Sequence, residues 1–367
     1  MARDLTRPAL TELVPYEPGK PVEEVQRELG LARVVKLASN EGQFGPFAAA
    51  LAALERGAPE LNRYPDGGAW RLVQALAEKH GVEPSSVAVA AGADAIIAYL
   101  CLATLDPGDE VVFGWPSFAS YPLATMKMGA TPVRVPLAEH AYDVERILAA
   151  VTERTKIVFL CNPNNPTGTM IPRDAVDHYF GRVPGHVLTV LDEAYFEYVE
   201  EPDYADGIEE HVKAGRDVLV LRTFSKIYGL AGVRVGYGVG PKEVVDSVKR
   251  VRNAFDITQP AQDAALASLG DEDELARRRA FNSEARAHLM ELSAGLGLAL
   301  APRPVANFVY AEVGEDARPV FEALLREGVI VRPLAPFGAP GGIRVTVGTK
   351  EEHELFAQAF GRVQALA

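Results

Sequence analysis

The residues most able to do covalent chemistry lie in one stretch, Thr223-Phe224-Ser225-Lys226-Ile227-Tyr228-Gly229-Leu230-Ala231-Gly232-Val233-Arg234. Lys226 follows an apolar run, sits among hydroxyls and glycines, and precedes Arg234 by eight residues. That arrangement suits an amine that forms a Schiff base beside a bound phosphate. Read on this stretch alone, a solvated loop lysine remains the alternative.

Three further segments bear on the same chemistry. In Val190-Leu191-Asp192-Glu193-Ala194-Tyr195 an apolar strand ends in a carboxylate, with a phenol three residues on. A carboxylate aimed at a pyridine nitrogen keeps it protonated and lets the ring accept electrons from a carbanion. Asp192 could otherwise be a helix cap or a metal ligand, and the lack of spaced histidines disfavours the metal. The run Cys161-Asn162-Pro163-Asn164-Asn165-Pro166-Thr167-Gly168 holds more turn formers than a turn needs, which suggests an amide, Asn165, held toward a ligand. Ala91-Gly92-Ala93-Asp94 reads as a strand-to-helix junction whose free N–H groups could cradle a phosphate. Gly236, Gly238 and Gly240 are a poor dinucleotide fingerprint, because Pro241 follows where the pattern needs glycine, and they read as packing glycines.

The elements that must position these groups are short β-rich runs separated by helical patterns. The runs are 87–90, 110–113, 131–135, 156–161, 187–191, 218–221 and 234–239. Such alternation implies an α/β fold with a mostly parallel sheet flanked by helices. The chemistry-bearing residues fall in the turns after these runs, where open α/β sheets place ligands. The last hundred residues change character: a charged helix over 272–296, strands near 308–312, 329–332 and 343–347, and a helix near 318–327 imply a smaller α+β domain. The expected division is a large domain over 42–255 and a small one formed by 1–41 with 256–367.

Composition narrows the class. The 367 residues carry 37 Lys and Arg against 50 Asp and Glu, a net charge of -13, which disfavours a nucleic-acid partner read by a broad basic surface. Two cysteines in apolar segments offer neither a disulfide framework nor a metal site and fit a cytoplasmic setting. The N-terminus has no apolar core after its charges, so it does not read as a secretory signal. The most membrane-like run, 87–105, contains Asp94 and reads as strand, turn and buried helix, so no membrane partner is expected.

Taken together, Asn-Pro-Thr-Gly at 165–168, Asp-x-x-Tyr at 192–195, and Ser225-Lys226 with Arg234 downstream resemble the fold-type I pyridoxal-phosphate aminotransferases. The resemblance implies a pyridoxal 5'-phosphate cofactor held covalently by Lys226 and paired at its ring nitrogen with Asp192. It further implies that Asn165 and Tyr195 bind the ring hydroxyl and that Gly92, Ala93, Asp94, Thr223, Ser225 and Arg234 surround the phosphate. Phe118 matches an aromatic residue stacked on the cofactor, although it could equally be core. Tyr64 matches a tyrosine that reaches the phosphate from a neighbouring subunit, which implies a homodimer with shared active sites.

Within that superfamily the chain is most similar to histidinol-phosphate aminotransferases, through Val14 to Pro21 with Lys36 to Glu41, Arg222 to Gly236, and Gly328 to Pro333 with Arg344 to Thr349. This implies transamination between histidinol phosphate and 2-oxoglutarate in histidine biosynthesis, with Tyr16, Asn40, Arg332 and Arg344 on the substrate side. Two guanidinium groups suit a phosphate on one substrate and carboxylates on the other; taken alone, both would read as strand-edge charge. Gly42-Gln43, where the family commonly has Asn-Pro, and Ala254 to Gln259 depart from the pattern. They leave an aromatic amino acid aminotransferase, and more remotely a phosphothreonine-type decarboxylase, as alternatives.

Overall fold

The computed structural model describes residues 5–11, 13–15 and 17–366. A seven-stranded sheet runs, edge to edge, through Val87–Ala90, Gly236–Val239, Val218–Thr223, Leu188–Asp192, Thr155–Cys161, Glu110–Trp115 and Thr131–Pro136. Every pairing is parallel except the two made by Gly236–Val239. Its central strands are buried over nearly their whole length, Lys156 being the exposed exception in Thr155–Cys161, as expected for a sheet with helices on both faces.

This sheet and its helices form the first core. Ile257 and Ala261, Ala264 and Ala265 of the helix Gln259–Ser268 belong to it, so it extends past residue 255. A second core surrounds a four-stranded antiparallel sheet ordered Arg332–Pro333, Gly342–Thr346, Phe308–Glu312 and Ala299–Leu300. Beside it Val35–Lys36 pairs in parallel with Val329–Ile330, joining the N-terminal segment to this part of the chain. The 24-residue helix Glu272–Gly295 spans both cores, with Leu275 in the first and Leu289 in the second. Asp271 caps it by accepting the Glu274 amide at 3.1 Å.

Two strand boundaries differ from the sequence expectation. The run 234–239 forms a strand only from Gly236, because Arg234 adopts a left-handed backbone with φ 62°. The run 329–332 divides into Val329–Ile330 and Arg332–Pro333, and Val331 marks the change from one sheet to the other. The membrane-like run 87–105 is the strand Val87–Ala90 followed by the helix Ala93–Thr104, which is buried on one face only: Ile96, Ile97, Leu100 and Cys101 are buried while Asp94, Ala98 and Leu102 are exposed. Among the described residues no helix is long and apolar enough to cross a membrane.

Gly236 sets how closely that helix meets the sheet. A Cβ there would lie 2.4 Å from the Ala93 nitrogen and 2.8 Å from the Gly92 carbonyl carbon, both backbone atoms with little room to retreat. Gly236→Ala is therefore expected to cost about 1–3 kcal/mol through overpacking, read as a lower melting temperature by calorimetry. An unchanged melting temperature would show that the helix start can yield.

Candidate active site

The strand ends Leu188–Asp192 and Val218–Thr223 and the second sheet meet at a cavity of about 270 Å³. It is lined by Ala93, Asp94, Phe118, Asn165, Asp192, Tyr195, Thr223, Ser225, Lys226 and Arg234 from the first core, and by Asn40, Arg332 and Arg344 from the other side. Gly92 stands directly behind this wall, at the cap of the helix Ala93–Thr104. Tyr64 lies elsewhere on the chain, 82% exposed and stacked on Phe255 at 4.5 Å. Tyr16 falls outside the described residues.

Lys226 is half-buried at the centre of this arrangement, its Nζ 5.5 Å from the Tyr195 ring centroid. Burial, followed by repulsion from Arg344, lowers its ammonium from the usual 10.5 to about 8, while Glu41 pulls the other way. About one amine in ten is then unprotonated at pH 7, against about one in three thousand for an ordinary lysine. A free-base amine is a nucleophile toward an aldehyde; an ammonium is not.

Asp192 is 4% exposed. Its Oδ2 accepts the Tyr121 hydroxyl at 2.7 Å and its Oδ1 accepts the Ala194 amide at 3.1 Å. Burial raises its pKa, and these two donors oppose the rise. A buried carboxylate at a cavity wall is well placed to hold a protonated heterocyclic nitrogen, which would restore its charge partner.

The asparagine loop divides its labour. Asn162 pairs with both backbone groups of Ile171, and Asn164 is held by Ser117, Thr167 and the Pro116 carbonyl. Asn165 alone of the three faces the cavity, where its Oδ1 accepts from Arg344 Nη1. Across the cavity the Tyr195 hydroxyl accepts from Asn40 Nδ2 at 2.9 Å. Asn40 is itself fixed in a left-handed backbone by bonds of 3.0 Å to and from the Thr346 hydroxyl.

The site also passes a physical test for a phosphate-bearing cofactor. The helix Ala93–Thr104 has no side-chain cap at Gly92, which leaves its first-turn N–H groups and positive dipole end for a ligand. The Thr223 and Ser225 hydroxyls pair at 3.0 Å, and Arg234 Nη1 approaches Ser225 Oγ at 3.5 Å. A Cβ on Gly92 would come within 2.5 Å of Arg234 Nη2, so glycine is what allows the guanidinium to close this cradle. Among the described residues no group of ligands could hold a metal ion.

On the opposite wall Arg332 and Arg344 are direct register partners on adjacent antiparallel strands, 6% and 4% exposed. Arg344 also donates to the Ala38 carbonyl at 2.8 Å, and Arg332 to the Glu17 carbonyl. Both guanidinium groups lie over the Phe337 ring, at 5.5 Å and 5.4 Å from its centroid. Two desolvated cations side by side repel each other, and an anion between them would relieve that repulsion.

Comparison with known proteins decides the family. The model of class I and II aminotransferases matches residues 32–360. The chain belongs to this family. It is 44% identical to a histidinol-phosphate aminotransferase of Moorella thermoacetica over 98% of this chain and 93% of that one. Its fold superposes with a TM-score of 0.90 on the histidinol-phosphate aminotransferase of Sinorhizobium meliloti solved with pyridoxal-5'-phosphate, at 30% identity over 100% and 99% of the two chains. An aspartate aminotransferase double mutant of Thermus thermophilus gives 0.86 at 27% identity over 98% and 100%. The protein is accordingly a pyridoxal-phosphate-dependent aminotransferase of fold type I.

Two residues that bear on the site, Tyr121 behind Asp192 and Glu41 on the cavity wall, are not singled out by the sequence. Tyr121 reads there as one more large residue of an apolar helix, and its only signal is that a buried phenol needs a partner. Glu41, which also forms a 3.0 Å ion pair with Lys36, stands in a quoted motif with no role attached. The lowered lysine yields a prediction. Condensation of the cofactor-free protein with pyridoxal 5'-phosphate should speed up with pH to a midpoint of about 8, because that is where half the amine has lost its proton. A midpoint near 10 would contradict the burial argument. Tyr121→Phe removes a donor from a buried carboxylate and is expected to cost about 1–3 kcal/mol at pH 7 in urea denaturation.

Proposed function

We propose that this aminotransferase exchanges an amino group between histidinol phosphate and 2-oxoglutarate, giving imidazole-acetol phosphate and glutamate, in histidine biosynthesis. The observation that carries the reading is the buried pair Arg332 and Arg344 facing Lys226 across one cavity. The phosphate of one substrate and the carboxylates of the other are both anions that two such guanidinium groups bind by charge-assisted hydrogen bonds. Identity of 44% to a relative bearing that name supports the same substrate.

Bound pyridoxal phosphate supplies an aldehyde that captures an amine and a ring that accepts the electron pair left at the substrate Cα. In our reading Lys226 Nζ would hold the cofactor until an amine substrate replaces it, and then, as a free base, would take the Cα proton and deliver it to the cofactor's C4′ carbon. Asp192 keeps a proton on the ring nitrogen. Asn165 and Tyr195 orient the ring hydroxyl, Phe118 covers one ring face, and Gly92, Ala93, Asp94, Thr223, Ser225 and Arg234 hold the phosphate. Asn40 braces Tyr195 through its 2.9 Å hydrogen bond, and Tyr16 belongs with it on the substrate side.

The same reading includes a homodimer in which Tyr64 of one subunit reaches the other's phosphate cradle. The exposed Leu61, Tyr64 and Phe255 support it, because apolar residues so clustered mark association surfaces. Two buried, unpaired cysteines fit a cytoplasmic location.

The test is to add histidinol phosphate, phenylalanine and phosphothreonine separately to the cofactor-loaded protein and follow its visible spectrum. Loss of the aldehyde-form band with histidinol phosphate alone, reversed by 2-oxoglutarate, is expected. A response to phenylalanine alone, or carbon dioxide release without 2-oxoglutarate consumption, would overturn the assignment. Arg344→Ala should weaken both half-reactions roughly ten- to hundredfold in kcat/KM, since each loses a charged hydrogen bond. Unchanged kinetics with both substrates would remove Arg344 from the site.

A further inference from the structure

We propose that Arg278 is a positioning residue for Lys226, through which the helix Glu272–Gly295 ties the substrate-side sheet to the reacting amine. The inference rests on the reading of Lys226 as the cofactor-bearing lysine. In sequence Arg277-Arg278-Arg279 looks like one exposed basic cluster, but the three side chains differ in burial, and although Arg277 and Arg278 share Glu274, only Arg278 is buried. Arg277 is exposed and pairs with Glu274, and Arg279 donates to the Glu197 carbonyl at 2.7 Å. Arg278 is 5% exposed, and its Nη1 donates at 2.9 Å to the carbonyl of Ile227, the residue after Lys226.

Burying a guanidinium is costly unless each face of it is used. Here Nε is held by Glu274 at 2.7 Å, and the planar group lies 4.4 Å from the Phe47 ring centroid and 5.3 Å from that of Phe44. From another side the segment containing Gly42 and Gly45 presses on the same loop. A Cβ on Gly42 would lie 2.9 Å from the Lys226 carbonyl oxygen, and one on Gly229 would lie 2.4 Å from that of Gly45. The loop closes on itself as well, since the Gly229 amide donates to the Lys226 carbonyl at 3.0 Å. The peptide that carries Lys226 is thus gripped by the N-terminal segment and by Arg278. Gly42, where the family commonly has a larger residue, has a physical reason in that contact.

The middle of the same helix holds the segment that leads into the substrate-side sheet. Arg286 Nη1 donates to the Val305 and Ala306 carbonyls at 3.1 Å and 3.0 Å, and Asn282 Nδ2 approaches the latter at 3.4 Å. Those residues lead into the strand Phe308–Glu312, whose Tyr310 is the register partner of Arg344. A contiguous set of contacts therefore runs from Arg344 through this strand and helix to Arg278, the Ile227 carbonyl and Lys226. An anion settling on Arg344 acts on one end of it, and the reacting amine lies at the other.

The test compares Arg278→Met and Arg278→Lys in the cofactor-loaded enzyme, with hydrogen–deuterium exchange on the cofactor-free protein as a readout independent of turnover. Arg278→Met should lower kcat roughly tenfold, with KM for both substrates within about twofold, because a misplaced base slows the step without removing binding groups. Circular dichroism of the visible cofactor band should weaken, the amides of Gly229 and Leu230 should exchange faster, and Arg278→Lys should recover most of each loss. Should Arg278→Met fail to fold, Glu274→Gln loosens the same guanidinium and should move the same readouts in the same direction to a smaller extent. Unchanged exchange at 226–230 with an unchanged cofactor band would overturn the proposal, as would parallel losses in kcat, KM and melting temperature that lysine does not restore. If the unmodified protein formed no visible band with pyridoxal 5'-phosphate, the role of Lys226 would fail instead, and the exchange data would still decide whether Arg278 orders the loop.

Discussion

A primary amine attacks a carbonyl only after losing its proton, and the arrangement around Lys226 serves that requirement. Burial and the charge of Arg344 bring its pKa to about 8. The carboxylates that would restore the proton are engaged or kept apart: Glu41 pairs with Lys36, and Asp192 with Tyr121 and a backbone amide. Arg344 therefore has two physical effects. It offers an anion a buried guanidinium, and its charge adds to burial in making the lysine easier to deprotonate.

The two halves of the chain meet around that amine. The first core supplies a strand end and an asparagine loop fixed by their own hydrogen bonds, and a helix start whose N–H groups are left for a ligand. The second core supplies cations on a small antiparallel sheet. The cavity sits between them, so closing one half on the other would exclude water and strengthen every charged contact inside it.

Much of this was legible in the sequence, and what was missed has a common cause. Asp192 and Lys226 could be found because each follows an apolar run and breaks its pattern. The inner parallel strands of the large sheet are readable for the same reason, since buried parallel strands are continuous apolar runs. Tyr121, which holds Asp192, sits in an apolar helix where its hydroxyl leaves no trace in the periodicity. Arg278 hides in a triplet of arginines whose separate fates depend on the helix face each occupies. The strand at 234–239 was drawn two residues too long because the left-handed backbone of Arg234 follows from its packing over Gly92, a contact between distant segments. The residues proposed to meet a ligand directly stand out by type; those proposed to act through another residue need coordinates.

The central claim is a covalent bond between Lys226 and the aldehyde carbon of pyridoxal 5'-phosphate. Its most direct measurement is borohydride reduction of the loaded protein, followed by digestion and mass spectrometry of the peptides. The account predicts one stoichiometric pyridoxyl adduct, on the peptide containing Lys226. A label spread over surface lysines such as Lys79, Lys213 and Lys242, with Lys226 unmodified, would contradict it.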